Sequence, residues 1–529
     1  MSLLRIEGLS LSIGAAEILH DVSLRVQAGG ITAVIGESGS GKSMTAYCVN
    51  QLLPRGAQAA GALEFDGVDM LAQDEARLCQ IRGRDIGMVF QEPMTALNPL
   101  QTIGAQVAET VLIHGGSSQR EAQDIARETL NRVGLPAADF PLSRYPHELS
   151  GGQRQRVVIA MAIALRPTLL IADEPTTALD VTTQSQIMAL LKRLVVEDGM
   201  GLLLISHDLG VVADVADHIV IMQAGRVVEQ GAAAAIFSHM QHPYTRALFE
   251  ASSHKPGRNA QPQDIPVLAV KNLIRDYALP RKTLFGKAPK FRAVNGVSFT
   301  LKKGESLGLV GESGCGKSTL TRAILGLEAI QGGSIEINGQ EVRAGHTVPR
   351  ALRRNMQVVF QDPYGSFNPR HKVAKLISEP FHLLDEPPKG EARQAAIAEA
   401  LEAVGMQAAD ADKYIHEFSG GQRQRIAIAR ALIIKPELII LDEAVSALDV
   451  SIRAQILDLL AGLSDRFGLS YLFISHDLGV VRAITDRVLV MKAGEIVEEG
   501  ATEDIFRDPA HPYTRALLAA APKLEELMQ

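Results

Sequence analysis

Two glycine-rich turns in the chain have the composition of a phosphate-binding loop. The first reads GESGSGKS over residues 36–43, and the second reads GESGCGKS over residues 311–318. Each follows a short apolar run that predicts a strand and precedes a segment that predicts a helix. In such a turn the backbone N–H groups surround phosphate oxygens, the lysine reaches the outer phosphates and the next serine can ligate Mg²⁺. The predicted nucleotide-binding residues of the two turns are Gly36, Ser38, Gly39, Ser40, Gly41, Lys42, Ser43 and Met44, and Gly311, Ser313, Gly314, Cys315, Gly316, Lys317, Ser318 and Thr319.

An acidic pair ends a continuous apolar run downstream of each loop. Asp173-Glu174 closes TLLIADE, and Asp442-Glu443 closes ELIILDE. Each aspartate is placed to hold Mg²⁺ through water, and each glutamate is placed to orient and deprotonate an attacking water. A surface acidic pair is the alternative for either site alone, but a neighbouring phosphate loop favours the chemical role.

A histidine and a Ser-Gly-Gly-Gln turn also occur once in each half of the chain. His207 and His476 end further apolar runs, 33 residues after each catalytic glutamate. A single histidine there is most often structural, but the recurrence favours a contact with the γ-phosphate. The turns Ser150–Gln153 and Ser419–Gln422 precede predicted helices, where exposed N–H groups would form a second anion site. An ordinary helix cap would explain the serine but not the repeated GGQRQR.

These motifs follow the same order in both halves, so the chain is predicted to be a tandem of two domains. Over the second part of each copy the offset is a constant 269 residues, and HPYTRAL at 242–248 returns at 511–517. The predicted boundaries are 1–251 for the first domain, 252–266 for a short extended linker and 267–529 for the second domain. Alternating segments that open each domain predict antiparallel strands, whereas the continuous apolar runs predict a buried parallel sheet.

Composition limits the classes of function. The chain has 529 residues, 46% of them hydrophobic, which suits two domains with buried cores. A net charge of −7 argues against a nucleic-acid binder with a broad basic face. Three scattered cysteines indicate free thiols, and no segment approaches the length of a membrane span or has the pattern of a signal peptide. A role at a membrane therefore requires a separate membrane partner.

Taken together, these motifs resemble the ATP-binding cassette ATPases over essentially the whole chain. The segments VFQEPMTALNP and VFQDPYGSFNP and the two HPYTRAL repeats are similar to the oligopeptide, dipeptide and nickel importer group. The fused architecture is similar to that of the ATPase subunits of the microcin C-type peptide importers. The resemblance implies an α/β fold of two P-loop NTPase domains, each with a mixed sheet core, an antiparallel β subdomain and a helical subdomain.

The resemblance also assigns roles to residues and implies partners. It implies ATP and Mg²⁺ as ligands, D-loops at Asp180 and Asp449, and two sites in which each phosphate loop faces the signature turn of the other domain. No separate ATPase subunit is then needed. The implied partners are two integral-membrane permease subunits and an extracytoplasmic solute-binding protein, with the chain on the cytoplasmic face of the plasma membrane and no nucleic acid bound. The further nucleotide-binding residues that the resemblance implies are Gln91, Ser150, Gly151, Gly152, Gln153, Tyr277, Gln361, Ser419, Gly420, Gly421 and Gln422. The implied metal-binding residues are Ser43, Gln91, Asp173, Ser318, Gln361 and Asp442.

The two copies depart from the family pattern in different places. Tyr277 has the adenine-stacking position of the second domain, whereas Ile13 occupies it in the first. Ala444 replaces the proline that follows the catalytic glutamate, and Phe418 replaces the signature leucine. Both sites keep every chemical residue, so we expect two competent sites of unequal activity. A basic insertion at 279–292 is either a solvated loop or an anion contact near Tyr277.

The function that the sequence favours is the ATP-hydrolysing subunit of a bacterial peptide importer. Glutathione, opines and nickel are alternative solutes, because permease and binding protein select the solute. A soluble tandem ATPase acting on ribosomes is a different class, but the short linker and the TALD and SALD D-loops argue against it. A zinc-bearing DNA-repair ATPase would need cysteine ligands that three scattered cysteines do not supply. The cysteine clusters of some relatives are also missing, so no iron–sulfur cluster is expected.

Overall fold

The structure is a computed structural model that describes residues 2–91, 93–114, 117–177, 179–279, 288–342, 348–362, 365–446 and 448–521. The chain separates into two units of similar size, and along the sequence the division falls between Ser253 and His254. Most of the basic insertion at 279–292 lies outside the described residues. No helix among the residues described is long and apolar enough to cross a membrane.

Among its described residues the first unit opens with three strands, and four successive α-helices separate its sixth strand from its seventh. Its strands are β1 (Ser2–Ile13), β2 (Ala16–Gln27), β3 (Ile31–Ile35), β4 (Ala57–Phe65), β5 (Val68–Asp69), β6 (Ile86–Val89), β7 (Leu169–Asp173), β8 (Gly201–Ser206), β9 (His218–Gln223) and β10 (Arg226–Ala232). Its helices are α1 (Lys42–Val49), α2 (Glu75–Ile81), α3 (Pro93–Ala96), α4 (Ile103–Ile113), α5 (Gln119–Arg132), α6 (Gly151–Ile163), α7 (Val181–Asp198), α8 (Leu209–Val215), α9 (Ala233–Ser238) and α10 (Pro243–Ser252).

Two sheets organise this unit. A six-stranded sheet has the order β10-β9-β3-β8-β7-β6, in which only β10 is antiparallel to its neighbour. All residues of β3, β7 and β8 are buried, as expected for parallel strands covered on both faces. The alternating strands β1, β2, β4 and β5 form a separate antiparallel sheet. The carboxyl ends of the parallel strands therefore bring the phosphate loop, the acidic pair and His207 to one edge.

The predicted helical segment lies between Gln91 and the signature turn. Helix α5 begins at a capping box in which the Ser118 side chain accepts the Glu121 N–H and Glu121 accepts the Ser118 N–H. Ala122, Ala126 and Leu130 are buried at helical spacing. Because this apolar stripe is narrow, the helix packs one face and leaves the others in water.

The second unit repeats this architecture. Its strands are β11 (Gln263–Ala278), β12 (Lys290–Lys303), β13 (Ser306–Val310), β14 (Gly332–Ile337), β15 (Gln340–Glu341), β16 (Met356–Val359), β17 (Leu438–Asp442), β18 (Ser470–Ile474), β19 (Arg487–Lys492) and β20 (Glu495–Ala501). Its helices are α11 (Lys317–Ile324), α12 (Arg350–Asn355), α13 (Val373–Ile377), α14 (Gly390–Ala403), α15 (Gly420–Leu432), α16 (Val450–Phe467), α17 (Leu478–Ile484), α18 (Thr502–Arg507) and α19 (Pro512–Ala519).

The sheets of the second unit have the same composition as those of the first. The mixed sheet has the order β16-β17-β18-β13-β19-β20, and the antiparallel sheet has the order β12-β11-β14-β15. The strand that precedes the phosphate loop again lies inside the parallel part of the sheet, between β18 and β19. The predicted fold class is therefore confirmed for both units.

The segment between the units is anchored to the second one. Residues 254–262 form neither helix nor strand. Strand β11 begins at Gln263, within the predicted linker 252–266. The Arg258 side chain is only 8% exposed. Its Nη1 donates to Asp486 Oδ2 at 2.6 Å, and its Nε donates to Ser464 Oγ at 3.2 Å. Its Nη2 donates to the Gly304 carbonyl. The backbone N–H groups of Asn259 and Ala260 donate to the Asp465 carboxylate. The polar composition of this segment thus serves a specific docking.

We expect Arg258→Ala to destabilise the second unit by about 2–4 kcal/mol, because it leaves the Asp486 carboxylate without its buried partner. Unfolding should be followed by hydrogen exchange at the amides of β13, since two units need not unfold together. Lys255→Ala is the control on the same segment, because its 3.6 Å ion pair with Glu503 is half-exposed. Equal protection in the two variants would contradict the anchoring role of Arg258.

Candidate functional site

Each phosphate loop connects a central buried strand to a helix through a glycine that no other residue can replace without strain. Gly41 precedes α1 with φ 99°, and an ideal Cβ there would lie 2.6 Å from Leu19 Cδ2. Gly316 precedes α11 with φ 113°, and its Cβ would lie 2.3 Å from the Ala293 carbonyl oxygen. The left-handed conformation and the close packing together require glycine. Both loops thus have the strand–turn–helix context that the sequence predicts.

The lysine of each loop is buried and turns back on the loop. Lys42 Nζ donates to the carbonyl oxygens of Gly36 at 2.7 Å and Glu37 at 2.9 Å. Lys317 makes the equivalent bonds to Gly311 at 2.6 Å and Glu312 at 2.9 Å. Burial lowers the pKa of the Lys42 ammonium. A desolvated cation beside inward-facing N–H groups is suited to binding phosphate oxygens.

The residues of the first acidic pair fit a divalent cation. Asp173 is fully buried, and its Oδ1 accepts the Ser43 hydroxyl at 3.1 Å. Its Oδ2 is buried without a hydrogen-bond partner among the described residues. Burial raises the pKa of this carboxyl to about 6, and the neighbouring Glu174 adds to the shift. A carboxylate with one unpaired oxygen, next to a hydroxyl, supplies the oxygen ligands that Mg²⁺ prefers. In the second unit burial likewise raises the pKa of Asp442.

The first glutamate is held as a carboxylate by three side chains. Glu174 Oε2 lies 3.1 Å from His207 Nδ1 and accepts Thr177 Oγ1 at 3.0 Å and Gln91 Nε2 at 2.9 Å. Burial alone would raise the pKa of this carboxyl, but His207, Thr177 and Lys42 lower it to about 2. Glu174 is therefore ionised and oriented.

The backbone at both glutamates has an unusual conformation. Glu174 has φ 48° and Glu443 has φ 52°, in the left-handed region that costs a non-glycine residue about 1 kcal/mol or more. Their N–H groups donate at 2.9 Å to Ile205 and Ile474 of the adjacent strands. Each glutamate is thus tied through its backbone to the strand next to the one that it follows. Such strain is typical of functional positions, which agrees with the predicted catalytic role.

The two glutamates differ in their support. Glu443 Oε1 lies 3.3 Å from His476 Nδ1, and this histidine lowers the pKa of the carboxyl against the effect of burial. Ser446, at the position of Thr177, donates instead to the Glu443 backbone carbonyl at 2.9 Å. The sequence predicted unequal sites from Ile13 and Ala444. Thr177 against Ser446 is a further difference, and the inequality of the sites stays a prediction.

The signature turns are helix caps. Ser150 Oγ accepts the Gln153 N–H at 3.3 Å, and Gln153 Oε1 accepts the Ser150 N–H at 2.9 Å. Ser419 and Gln422 form the same reciprocal pair at 3.4 and 3.0 Å. The glutamine that the simple cap did not explain is thus the second half of a capping box.

Close packing explains the second glycine of each signature turn. A Cβ on Gly152 would lie 2.3 Å from Thr183 Cγ2, and a Cβ on Gly421 would lie 2.5 Å from Ile452 Cγ2. A Cβ on Gly420 would meet nothing within 4 Å. Phosphate binding by these turns and the pairing of the two units implied by the resemblance both stay predictions.

Tyr277 lies beside the helix that follows the second phosphate loop. Its hydroxyl donates to Glu328 and lies 3.4 Å from Thr319 Oγ1, and the Arg275 guanidinium lies 4.4 Å from the ring centroid. One side of the ring is thus occupied by a cation. Ile13 ends β1 and pairs with Ala16 across a tight turn. Stacking of adenine on Tyr277 stays a prediction.

The HPYTRAL repeat contributes a residue that sequence reasoning did not assign to either site. The Tyr244 hydroxyl accepts the Glu37 N–H at 3.2 Å, and the Tyr513 hydroxyl accepts the Glu312 N–H at 3.0 Å. Each N–H belongs to the first turn of a phosphate loop. The exact recurrence of HPYTRAL was the available signal, but its distance along the sequence concealed the contact.

We expect Asp173→Asn to stabilise the protein in buffer without Mg²⁺ and nucleotide while lowering Mg²⁺-dependent ATP hydrolysis. The folded-state pKa of about 6 lies above the ordinary 3.8, so the charged form opposes folding increasingly from pH 4 upwards. The gain should reach about 1–3 kcal/mol at pH 7.5 and fall to about half that at pH 5. Urea unfolding at both pH values checks this, and a gain that is the same at both would contradict the buried charge.

The chain is similar to known proteins over most of its length. Residues 19–177 and 294–446 match the family described as ABC transporter, and residues 228–266 and 497–529 match the oligopeptide/dipeptide transporter C-terminal region. The chain is 46% identical to the glutathione import ATP-binding proteins of Escherichia coli K12 and Shigella flexneri, over 97% of this chain and 87% of theirs. A solved dimer of the ATP-binding cassette MJ0796 with ADP and Pi is 27% identical, with a TM-score of 0.40, over 44% of this chain and 98% of that one.

The family matches cover both phosphate loops, both acidic pairs and both HPYTRAL repeats, and the sheets have the predicted composition. ABC ATPases bind ATP, so the chain is an ATP-binding protein, and binding of the nucleotide at the two loops stays a prediction. The chain belongs to the ABC transporter ATPases, as a tandem of two cassettes that each carry the oligopeptide/dipeptide transporter C-terminal region.

Proposed function

We propose that ATP hydrolysis by this chain drives the import of a short peptide. The observation that carries the proposal is the pair of C-terminal regions typical of oligopeptide and dipeptide transporters, each joined to its phosphate loop by a tyrosine hydroxyl. Relatives that are 46% identical over nearly the whole chain are glutathione import proteins. Glutathione, itself a tripeptide, is therefore the most specific candidate solute.

The first unit contains groups suited to bind the phosphates and to activate water. Lys42 and the loop N–H groups bind the phosphates, and Glu174 accepts a proton from the attacking water at its carboxylate. His207 and Thr177 keep that carboxylate ionised, and a hydrogen bond from Gln91 helps to orient it. Ser43 and Asp173 would hold Mg²⁺, with the Gln91 side chain close by through its bond to Glu174. The metal would neutralise charge on the phosphate oxygens.

The second unit provides the corresponding residues. Lys317 binds the phosphates, Ser318 and Asp442 would hold Mg²⁺ beside Gln361, and Glu443 accepts the proton. His476 lies 3.3 Å from Glu443 and supports its charge. The same chemistry is therefore assigned to both units.

The proposed partners follow from the absence of a membrane-crossing helix among the described residues together with the family. Two integral-membrane permease subunits would carry the solute, and an extracytoplasmic binding protein would select it. The chain would then act at the cytoplasmic face of the plasma membrane. Solute choice would lie in those partners, which explains why the ATP sites are equally compatible with several solutes.

We expect Glu174→Gln and Glu443→Gln each to lower ATP turnover, and the double variant to lower it at least 100-fold, because both water-activating carboxylates are lost. Binding of a fluorescent ATP analogue should remain, since neither change touches the phosphate loop. Glu64→Gln is the control, because Glu64 is an exposed carboxylate in the same unit. Wild-type turnover in the double variant would rule out the assigned role.

The import proposal is tested by reconstituting the chain in vesicles with permease subunits and a solute-binding protein of the oligopeptide importer group from the same organism. We expect hydrolysis to rise several-fold with binding protein loaded with glutathione or a tripeptide, and labelled solute to accumulate inside. Nickel and opines form the comparison panel. Stimulation by one of those solutes alone would overturn the peptide assignment, while intact basal hydrolysis would leave the ATPase assignment standing.

A further inference from the structure

A cavity of about 820 Å³ opens in the first unit where β2, β3 and β9 meet. It lies outside the phosphate-loop edge of the sheet, at the opposite ends of the strands, because it includes the residues that start β3 and β9. Its lining includes Gly29, Gly30 and Asp217, which we call the Asp217 corner. This site plays no part in the ATPase chemistry.

The second unit contains the same corner. Asp217 Oδ2 accepts the Ile31 N–H at 2.8 Å, and Asp486 Oδ2 accepts the Ser306 N–H at 2.8 Å, at the first residue of the central strand in each unit. Gly29 has φ 68° and Gly304 has φ 73°, two residues before that strand residue. The carboxylate and the glycine carbonyl are therefore equivalent groups in the two units.

In the second unit this corner binds a guanidinium. Arg258 donates to Asp486, to the Gly304 carbonyl and to Ser464, and its side chain is almost fully covered. The flanking backbone adds hydrogen bonds to Asp465. The corner is thus a working receptor for an irregular segment that carries an arginine.

A second arginine fills the adjoining space in the second unit. Arg487 lies 3.0 Å from both Glu305 and Glu499 through Nε and Nη1. The corresponding residues of the first unit are His218, Gly30 and Gln230, by the shared register of β9 with β10 and of β19 with β20. These smaller side chains leave the cavity open next to Asp217.

The corner of the first unit keeps the anchor but has no cation on it. Asp217 is exposed and makes no ion pair with any described residue, whereas the nearby Arg25 is already paired with Glu7 at 3.0 Å. The Ile31 N–H fixes the orientation of the Asp217 carboxylate. A fixed carboxylate and a carbonyl side by side match the planar fork of a guanidinium better than the point charge of an ammonium.

The surface next to the anchor differs in polarity between the units. By the 269-residue offset, Asp465 corresponds to Val196 and Ser464 to Val195. Val196 is 75% exposed. A segment bound here would therefore place an apolar side chain where Asn259 lies in the second unit.

We propose that the Asp217 corner is a docking site for an irregular segment of a partner polypeptide that carries an arginine followed by an apolar residue. The guanidinium would bind Asp217 and the Gly29 carbonyl, and the apolar side chain would cover Val196. The second unit supplies the template for this binding within the same molecule.

The test uses the full chain and a labelled peptide that copies residues 252–263 with leucine in place of the asparagine at 259. Fluorescence anisotropy should show saturable binding that weakens at least tenfold when the peptide arginine is replaced by glutamine. Asp217→Asn should weaken binding of the arginine peptide to the same level and should not weaken the glutamine peptide further. Such coupling identifies one contact and does not arise from misfolding, and circular dichroism checks the fold of the variant.

Asp486→Asn is the matched control, because that carboxylate already binds the chain's own Arg258; it should leave peptide affinity unchanged. Absent binding, or binding indifferent to Asp217→Asn, would overturn the proposal. Sedimentation of the chain without peptide tests whether a second copy of the chain occupies the corner instead. Dimers that the peptide dissociates would mean that a second copy of this chain occupies the corner, and would also overturn it. None of these measurements requires nucleotide, so their outcome is independent of the proposed import function.

Discussion

Burial of charge at the carboxyl edge of each parallel sheet is the constraint on which both proposed ATP sites depend. Lys42 and Asp173 lie within the protein rather than in water, and Glu174 is largely covered. Burial penalises each charge, and only partners of the right type remove that penalty. Glu174 has such partners in His207, Thr177 and Gln91, whereas Asp173 has one bonded oxygen and one unbonded oxygen. Mg²⁺ and phosphate would therefore supply the partners that the buried charges of the site still lack.

The two copies share this constraint but meet it differently. Glu174 has hydroxyl and amide donors in addition to its histidine, whereas among the described side chains Glu443 is paired with His476 and its backbone is strained. At the opposite ends of the strands, Arg258 binds Asp486 in the second unit, whereas Asp217, the equivalent carboxylate of the first unit, is exposed. Duplication has thus preserved the chemistry at one edge of the sheet while allowing the opposite edge to diverge.

Much of the fold and the site could be predicted because the signals are local. Strands such as β3 and β7 are continuous apolar runs, and the phosphate loops and acidic pairs are short motifs with a direct chemical meaning. The roles that sequence reasoning missed depend on side chains brought together from distant positions. Tyr244 reaches Glu37 across 207 residues, and Arg258 reaches Asp486 across 228. The capping role of Gln153 was local but was hidden by the anion-binding interpretation of the same turn.

In each unit a tyrosine hydroxyl accepts an N–H from the phosphate loop, and this contact decides where a single cassette can be cut from the chain. The helix carrying Tyr244 lies at the end of the first unit, after the last strand of its mixed sheet. A fragment cut after β10 would contain every recognised ATPase motif and still expose the Glu37 N–H to water. A single-cassette fragment that keeps this hydrogen bond must therefore extend through α10. A boundary drawn from the sequence motifs alone would remove a hydrogen-bond acceptor of the phosphate loop.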